Sequence, residues 1–185
     1  LSILGQNKKL DVVMFIACED RQFLPLWLKT FAYVFKNLHI MFCDDIRSYK
    51  KVIPLLDHTY IKSETDKKRL ITILTTKKNV ITIDDDVFYS PGMISNMVEK
   101  LRSRNEVVYN TGMYFNPNES YSKWAVCEED THLVVMPVGA GGILYPLEIL
   151  RACYVDNFLD LAPTADDIWL FSVLKDKVNY SYGNR

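Results

Sequence analysis

Three consecutive aspartates, Asp84-Asp85-Asp86, follow the apolar run Val80-Ile81-Thr82-Ile83 and lead into Val87-Phe88-Tyr89-Ser90-Pro91. Adjacent carboxylates repel one another, and each sheds hydration where the preceding strand is buried. Such a cluster needs a cation or hydrogen-bond donors to offset it. In open α/β sheets, ligands bind in the crevice beyond the carboxyl ends of the strands. Oxygen donors suit Mg2+ or Mn2+, and Mg2+ works through one or two carboxylates together with substrate phosphates. The chemistry these residues point to is a metal–diphosphate site. The plainer alternative is a solvated acidic turn, because Asp is common in turns. The apolar strand before the cluster speaks for the site.

Three other segments carry groups able to do chemistry. Asp44-Asp45-Ile46-Arg47-Ser48-Tyr49-Lys50-Lys51 starts at a strand end and enters a helix. There Arg47 or Lys50 could hold a phosphate while Asp45 accepts from a ribose or base. A surface salt-bridge cluster, with Asp44 or Asp45 capping the helix, fits the same residues. Val138-Gly139-Ala140-Gly141-Gly142-Ile143 lacks the spacing of a dinucleotide fingerprint. Its glycines either let backbone approach a ligand closely or make a tight turn. In Pro163-Thr164-Ala165-Asp166-Asp167-Ile168-Trp169, Thr164 can cap a helix, with Asp167 completing a capping-box-like pair. Asp166 is then left as a carboxylate able to act as a general base. Trp169 beside it could stack on a sugar face or fill the core, and the same choice applies to Trp27 and Trp124.

The elements that must position these groups follow from pattern. Leu10 to Ala17 reads as a buried strand, and Pro25 opens a helix to about Phe35. His39 to Cys43 is a second strand, and Ser48 to Leu56 a short helix limited by Pro54. A helix near Asp66 to Thr76 precedes the strand Asn79 to Ile83. Ser90 and Pro91 suit N-cap and first-turn positions of a helix whose stripe is Ile94, Met97, Val98 and Leu101. Val107 to Tyr109, Gly112 to Phe115 and Leu133 to Met136 read as strands, Pro137 to Ile143 as a flexible turn, and Ala165 to Lys175 as a helix. Strand–helix alternation followed by a strand-rich half predicts an α/β fold with a mostly parallel sheet. Parallel strands would gather Asp20, Asp44-Asp45 and Asp84 to Asp86 along one edge.

Composition bounds the answer. The chain has 185 residues, 49% of them hydrophobic, which suits a single domain with one sizeable core. A net charge of −1 offers no basic field for nucleic acid. Cys18, Cys43, Cys127 and Cys153 show no paired spacing and read as reduced thiols of a cytosolic protein. His39, His58 and His132 are isolated. No apolar run approaches the roughly 20 residues of a transmembrane helix, and no signal peptide is visible.

Taken in order, the segments Cys43 to Lys51, Ile81 to Tyr89, Gly139 to Pro146 and Ala165 to Trp169 resemble a nucleotide-sugar-dependent glycosyltransferase of the GT-A fold, of the bacterial capsule and surface-polysaccharide type. The resemblance implies that Asp84-Asp85-Asp86 is the D-x-D motif. Asp86 would ligate Mn2+ or Mg2+ bridging the donor diphosphate, and Asp84 would contact the ribose or the metal. Asp45, Arg47, Lys50 and Asp85 would face the UDP- or GDP-sugar donor. Gly141, Gly142 and Trp169 would border a glycan or lipid-linked acceptor, and Asp166 or Asp167 would supply the base. A cytoplasmic protein, or one peripheral at the inner membrane face, is implied, with residues 1–90 as the nucleotide-binding half of one domain and 91–185 as its acceptor-side half. In the family a strand carrying part of the nucleotide pocket precedes the segment matched by Ser2 to Asp20. Leu1 to Gln6 reads as the end of the helix after that strand, so the fold is expected to be incomplete at its N-terminus. The later metal-binding His common in such enzymes is also missing. Two other functions fit the residues: a sugar nucleotidyltransferase, which would normally show a Gly-rich basic loop after its first strand, and a degenerate nucleotide- or sugar-binding module.

Overall fold

A computed structural model describes residues 2–8 and 10–183, so Leu1 lies outside the described residues. The chain is mixed α/β and divides into two compact units, Lys9–Lys77 and Leu1–Lys8 with Lys78–Arg185. These boundaries do not coincide with a division at residue 90.

In the first unit, strand β1 (Val12–Ala17) is joined through helix α1 (Leu26–Val34) to β2 (Leu38–Cys43). The two strands pair in parallel, Val12 opposite Leu38 through Ala17 opposite Cys43. A parallel pair requires such a crossover, and α1 supplies it. Pro25 stands at the N-cap of α1, where its missing N–H costs nothing. The acidic segment after β1 forms a 3₁₀ turn, Cys18–Phe23, with Asp20 exposed. Pro54 falls in the first turn of α2 (Ile53–Leu56) and splits the expected helix, so that a separate 3₁₀ turn covers Arg47–Lys51. Helix α3 (Glu64–Leu74) starts where the Ser63 hydroxyl accepts the Asp66 amide at 3.2 Å. Met41, Cys43, Tyr49, Ile53, Ile61 and Leu70 form much of this core.

In the second unit, β3 (Asn79–Thr82) is followed by α4 (Met93–Lys100), β4 (Glu106–Tyr109), β5 (Gly112–Tyr114), β6 (Val126–Cys127) and β7 (Val135–Pro137). The chain continues through β8 (Ile143–Pro146), α5 (Leu147–Cys153), α6 (Phe158–Leu161), α7 (Asp166–Leu174) and β9 (Asn179–Tyr182). One sheet has the order β3-β8-β4-β9 and the other β6-β5-β7. Of the six ladders among the described residues only β1–β2 and β4–β9 are parallel, which corrects the mostly parallel sheet expected from strand–helix alternation. The reason lies in β8. Its four residues are all buried, and it inserts antiparallel between β3 and β4. Since β3 pairs with β8 and not with β1 or β2, the three acid-ended strands do not share one hydrogen-bonded sheet.

Helix α4 also departs from its expected face. Met93, Ile94, Ser95 and Met97 are buried, Val98 is 43% exposed, and Leu101 lies beyond the last turn. Ser90 does not cap it. The Ile94 amide instead donates to Gln6 Oε1 at 3.1 Å, a partner 88 positions away. Buried Glu106 is held by the amides of Arg102 and Ser103, the latter at 2.9 Å, and by the Ser181 hydroxyl. Removing that acceptor strands several donors, so Glu106→Ala should cost about 3 kcal/mol in urea unfolding. A loss below about 0.5 kcal/mol would show these bonds to be replaceable by water.

Candidate functional site

β3 ends at Thr82, and the chain then turns at Asp85 and Asp86, both exposed, with Asp84 half-buried. The strand-end position is as the sequence suggested, while Asp85 and Asp86 have the geometry of a solvated turn. Exposure lets water relieve the repulsion between these carboxylates. Carboxylate oxygens facing solvent match the needs of Mg2+ or Mn2+, which keep several waters and take one or two carboxylates. Among the described residues no group of three or more His, Cys, Asp or Glu side chains is placed to hold a metal ion.

The aspartate loop is tied to the glycine turn by one tyrosine. The Asp84 amide donates to Tyr89 Oη at 2.9 Å, and that hydroxyl donates onward to the Ala140 carbonyl at 3.1 Å. The Tyr89 amide donates to Ser2 Oγ at 2.9 Å, and the ring is buried. A hydroxyl that both accepts and donates can bridge two backbones in this way. Tyr89→Phe keeps the ring and removes both bonds. It should lower stability by about 1–3 kcal/mol, read as the urea midpoint at unchanged slope; an unchanged midpoint would mean that the bridge is not used in solution.

The expected flexible turn is an ordered 3₁₀ turn, Gly139–Gly141, leading directly into β8. Gly142 has φ of 86°, in the left-handed region that side chains disfavour. Gly141 packs so closely on Thr111 that a Cβ would meet its backbone nitrogen at 2.7 Å. The turn is held at its far end by Asn110, whose Nδ2 donates to the Gly141 carbonyl at 3.1 Å. At its near end the Gly139 amide donates to Asp167 Oδ2 at 2.9 Å.

That contact joins the turn to the start of α7. Ala165 is the N-cap of α7 and makes no side-chain capping bond, so the cap assigned to Thr164 is corrected. Ala165, not Thr164, holds the half-helical position, and Asp167 Oδ2 accepts from the Gly139 amide across the fold. Asp166 is 5% exposed. Nearby Tyr145 is fully buried, which pushes its phenol well above the ordinary range; the charges of Asp167, Tyr180 and Asp166 add to this. It is a neutral neighbour to both carboxylates. Trp169 is 1% exposed, its Nε1 donates to Asn157 Oδ1 at 3.2 Å, and its ring meets Phe158 at 5.8 Å. Of the two readings of Trp169, stacking on a sugar or filling the core, this burial matches the second.

In the Lys9–Lys77 unit, Asp45 Oδ1 accepts from Lys50 Nζ and from the Arg47 amide at 3.1 Å. Lys50 first, then Arg47, holds the Asp45 carboxyl below its usual value. Arg47 is the one non-glycine residue among the described residues with positive φ, 57°, and the Asp45 bond supports that turn. Asp44 pairs with Lys62. The salt-bridge cluster foreseen as one alternative is thus present. All four cysteines are free, and burial pushes the Cys43 thiol up to about 12. A cleft of about 440 Å3 is lined by residues such as Arg102, Glu106, Asp130 and His132, and contains none of the proposed catalytic, donor, acceptor or metal residues.

Tyr89 and Asn110 went unrecognised in the sequence. Neither belongs to a charged cluster, and the contacts that give them a role span 51 and 31 positions. No helix among the described residues is long and apolar enough to cross a membrane. No protein-family model matches the chain, and no curated protein matches it.

Proposed function

We propose that the protein is a metal-dependent glycosyltransferase with a GT-A-like arrangement, moving a sugar from a UDP- or GDP-sugar to a hydroxyl of a glycan or lipid-linked acceptor in surface-polysaccharide synthesis. The observation that supports this reading is the hydrogen-bonded path from Asp84 through Tyr89 to Ala140, with Gly139 bound to Asp167 one residue away. It joins three of the four segments on which the resemblance rests. Asp84 and Asp86 would hold Mn2+ or Mg2+, which when bound offsets charge developing on a leaving diphosphate. The Gly139–Gly142 backbone would border the acceptor, and a carboxylate at the start of α7 would take the acceptor's proton as its oxygen bonds to the sugar.

A second reading, a non-catalytic nucleotide-binding module, is favoured by the burial of Asp166 and Trp169. Calorimetry with UDP and GDP, with and without Mn2+, tests both. Binding that requires Mn2+, accompanied by donor turnover, supports transfer; binding without turnover supports the module. Absence of binding to either nucleotide would sink both.

A further inference from the structure

Helix α1 buries only Leu28. Leu26, Trp27, Phe31, Tyr33 and Val34 are exposed, Leu26 by 79% and Tyr33 by 78%. At 3.6 residues per turn these five spread over about 160° of the helix. The polar residue within that arc, Thr30, turns its hydroxyl back to the Leu26 carbonyl at 3.1 Å and so asks little of water. Trp27 and Phe31 form an edge-on pair with centroids 5.9 Å apart, which keeps the surface aromatic and ordered. A contiguous apolar face of this kind marks a protein or lipid contact.

Charge distinguishes the two. Residues 21–37 contain Arg21, Lys29 and Lys36 and no Asp or Glu. None of these three has a carboxylate partner among the described residues: Arg21 lies over the Phe42 ring at 5.0 Å, and Lys36 over the Tyr33 ring at 4.8 Å. Elsewhere in the same unit Lys50, Lys62, Lys67, Arg69 and Lys77 are all paired with acids. A two-fold contact between copies would bring like cations together with no acid on the segment to compensate. An anionic lipid surface would accept the aromatic face at its interface and the cations at its headgroups.

We propose that α1 is a membrane-surface anchor, seating its Trp27–Phe31 face in an anionic bilayer interface. The test is co-sedimentation of the whole chain with phosphatidylcholine vesicles, with and without phosphatidylglycerol. Binding is expected to the anionic vesicles, to weaken as salt rises, and to fall at least about tenfold in Trp27→Ser/Phe31→Ser. Lys29→Gln should lose about fivefold on the anionic vesicles alone. If far-UV circular dichroism shows the double variant unfolded, Trp27→Gln takes its place with a smaller loss in the same direction. Protein that stays in the supernatant, or that binds neutral vesicles equally well, overturns the proposal. So does concentration-dependent dimerisation abolished by the same substitutions, which would assign the face to a second copy.

Discussion

Asp86→Ala should abolish Mn2+-dependent nucleotide binding while leaving the fold intact. The carboxylate sits in an exposed turn, so truncating it removes no packing and should change stability by no more than about 0.5 kcal/mol. Its loss takes away one of two proposed oxygen donors. Outer partners of metal ligands already cost about 10- to 100-fold in affinity when removed. A direct ligand should exceed that, and in calorimetry the Mn2+-dependent heat should vanish at accessible concentrations. Asp85→Ala serves as the internal comparison. It lies in the same exposed turn and is a proposed donor contact but not a metal ligand, so its loss should weaken nucleotide binding while leaving the Mn2+ dependence in place. Equal effects of the two would mean that the turn attracts cations by bulk charge alone. An Asp86→Ala protein with unchanged Mn2+ dependence would remove the metal assignment altogether.

How much of this could be read from the residues depends on how local the determining forces are. β1, β2 and α1 were legible because apolar runs and Pro25 act within a few positions, and their ends agree with expectation to within two or three residues. β8 was not. Its residues follow a glycine turn and end in Tyr145-Pro146, so the segment reads as an extension of the loop until β3 and β4 pair with both its edges. β9 is Asn-Tyr-Ser-Tyr, poor in β-branched residues, and exists because β4 offers it a parallel edge. At the site, the aspartates and the glycines announced themselves by type and spacing. What connects them did not, since Tyr89 looks like any aromatic residue until its hydroxyl is found between two backbones. Thr164 failed as a cap for a related reason. The capping-box pattern was present, but Ala165 holds the half-helical position and Asp167 accepts from Gly139 across the fold.

Asp166 and Asp167 provide the sharpest division of labour. Adjacent residues on a helix point about 100° apart, and here they differ in surroundings as well as direction. Asp167 is already engaged, accepting the Gly139 amide. Asp167→Ala should therefore act mainly on stability and on the turn, costing about 1–3 kcal/mol. Asp166, buried at 5% exposure, is the proposed base. Asp166→Asn preserves size and one acceptor oxygen while removing basicity. It should lower turnover by about 10² to 10⁴ with donor affinity nearly unchanged, since the proposed donor diphosphate contacts lie at the aspartate turn. The fall in kcat without a rise in KM for donor separates this from a merely structural loss, which would lower both stability and affinity. Asp166→Glu, with its carboxylate displaced by one methylene, should recover part of the rate where Asn does not. If Asp167→Asn, which keeps an acceptor for Gly139, slows transfer and Asp166→Asn does not, the roles are exchanged. If neither slows it, the start of α7 only holds the glycine turn in place.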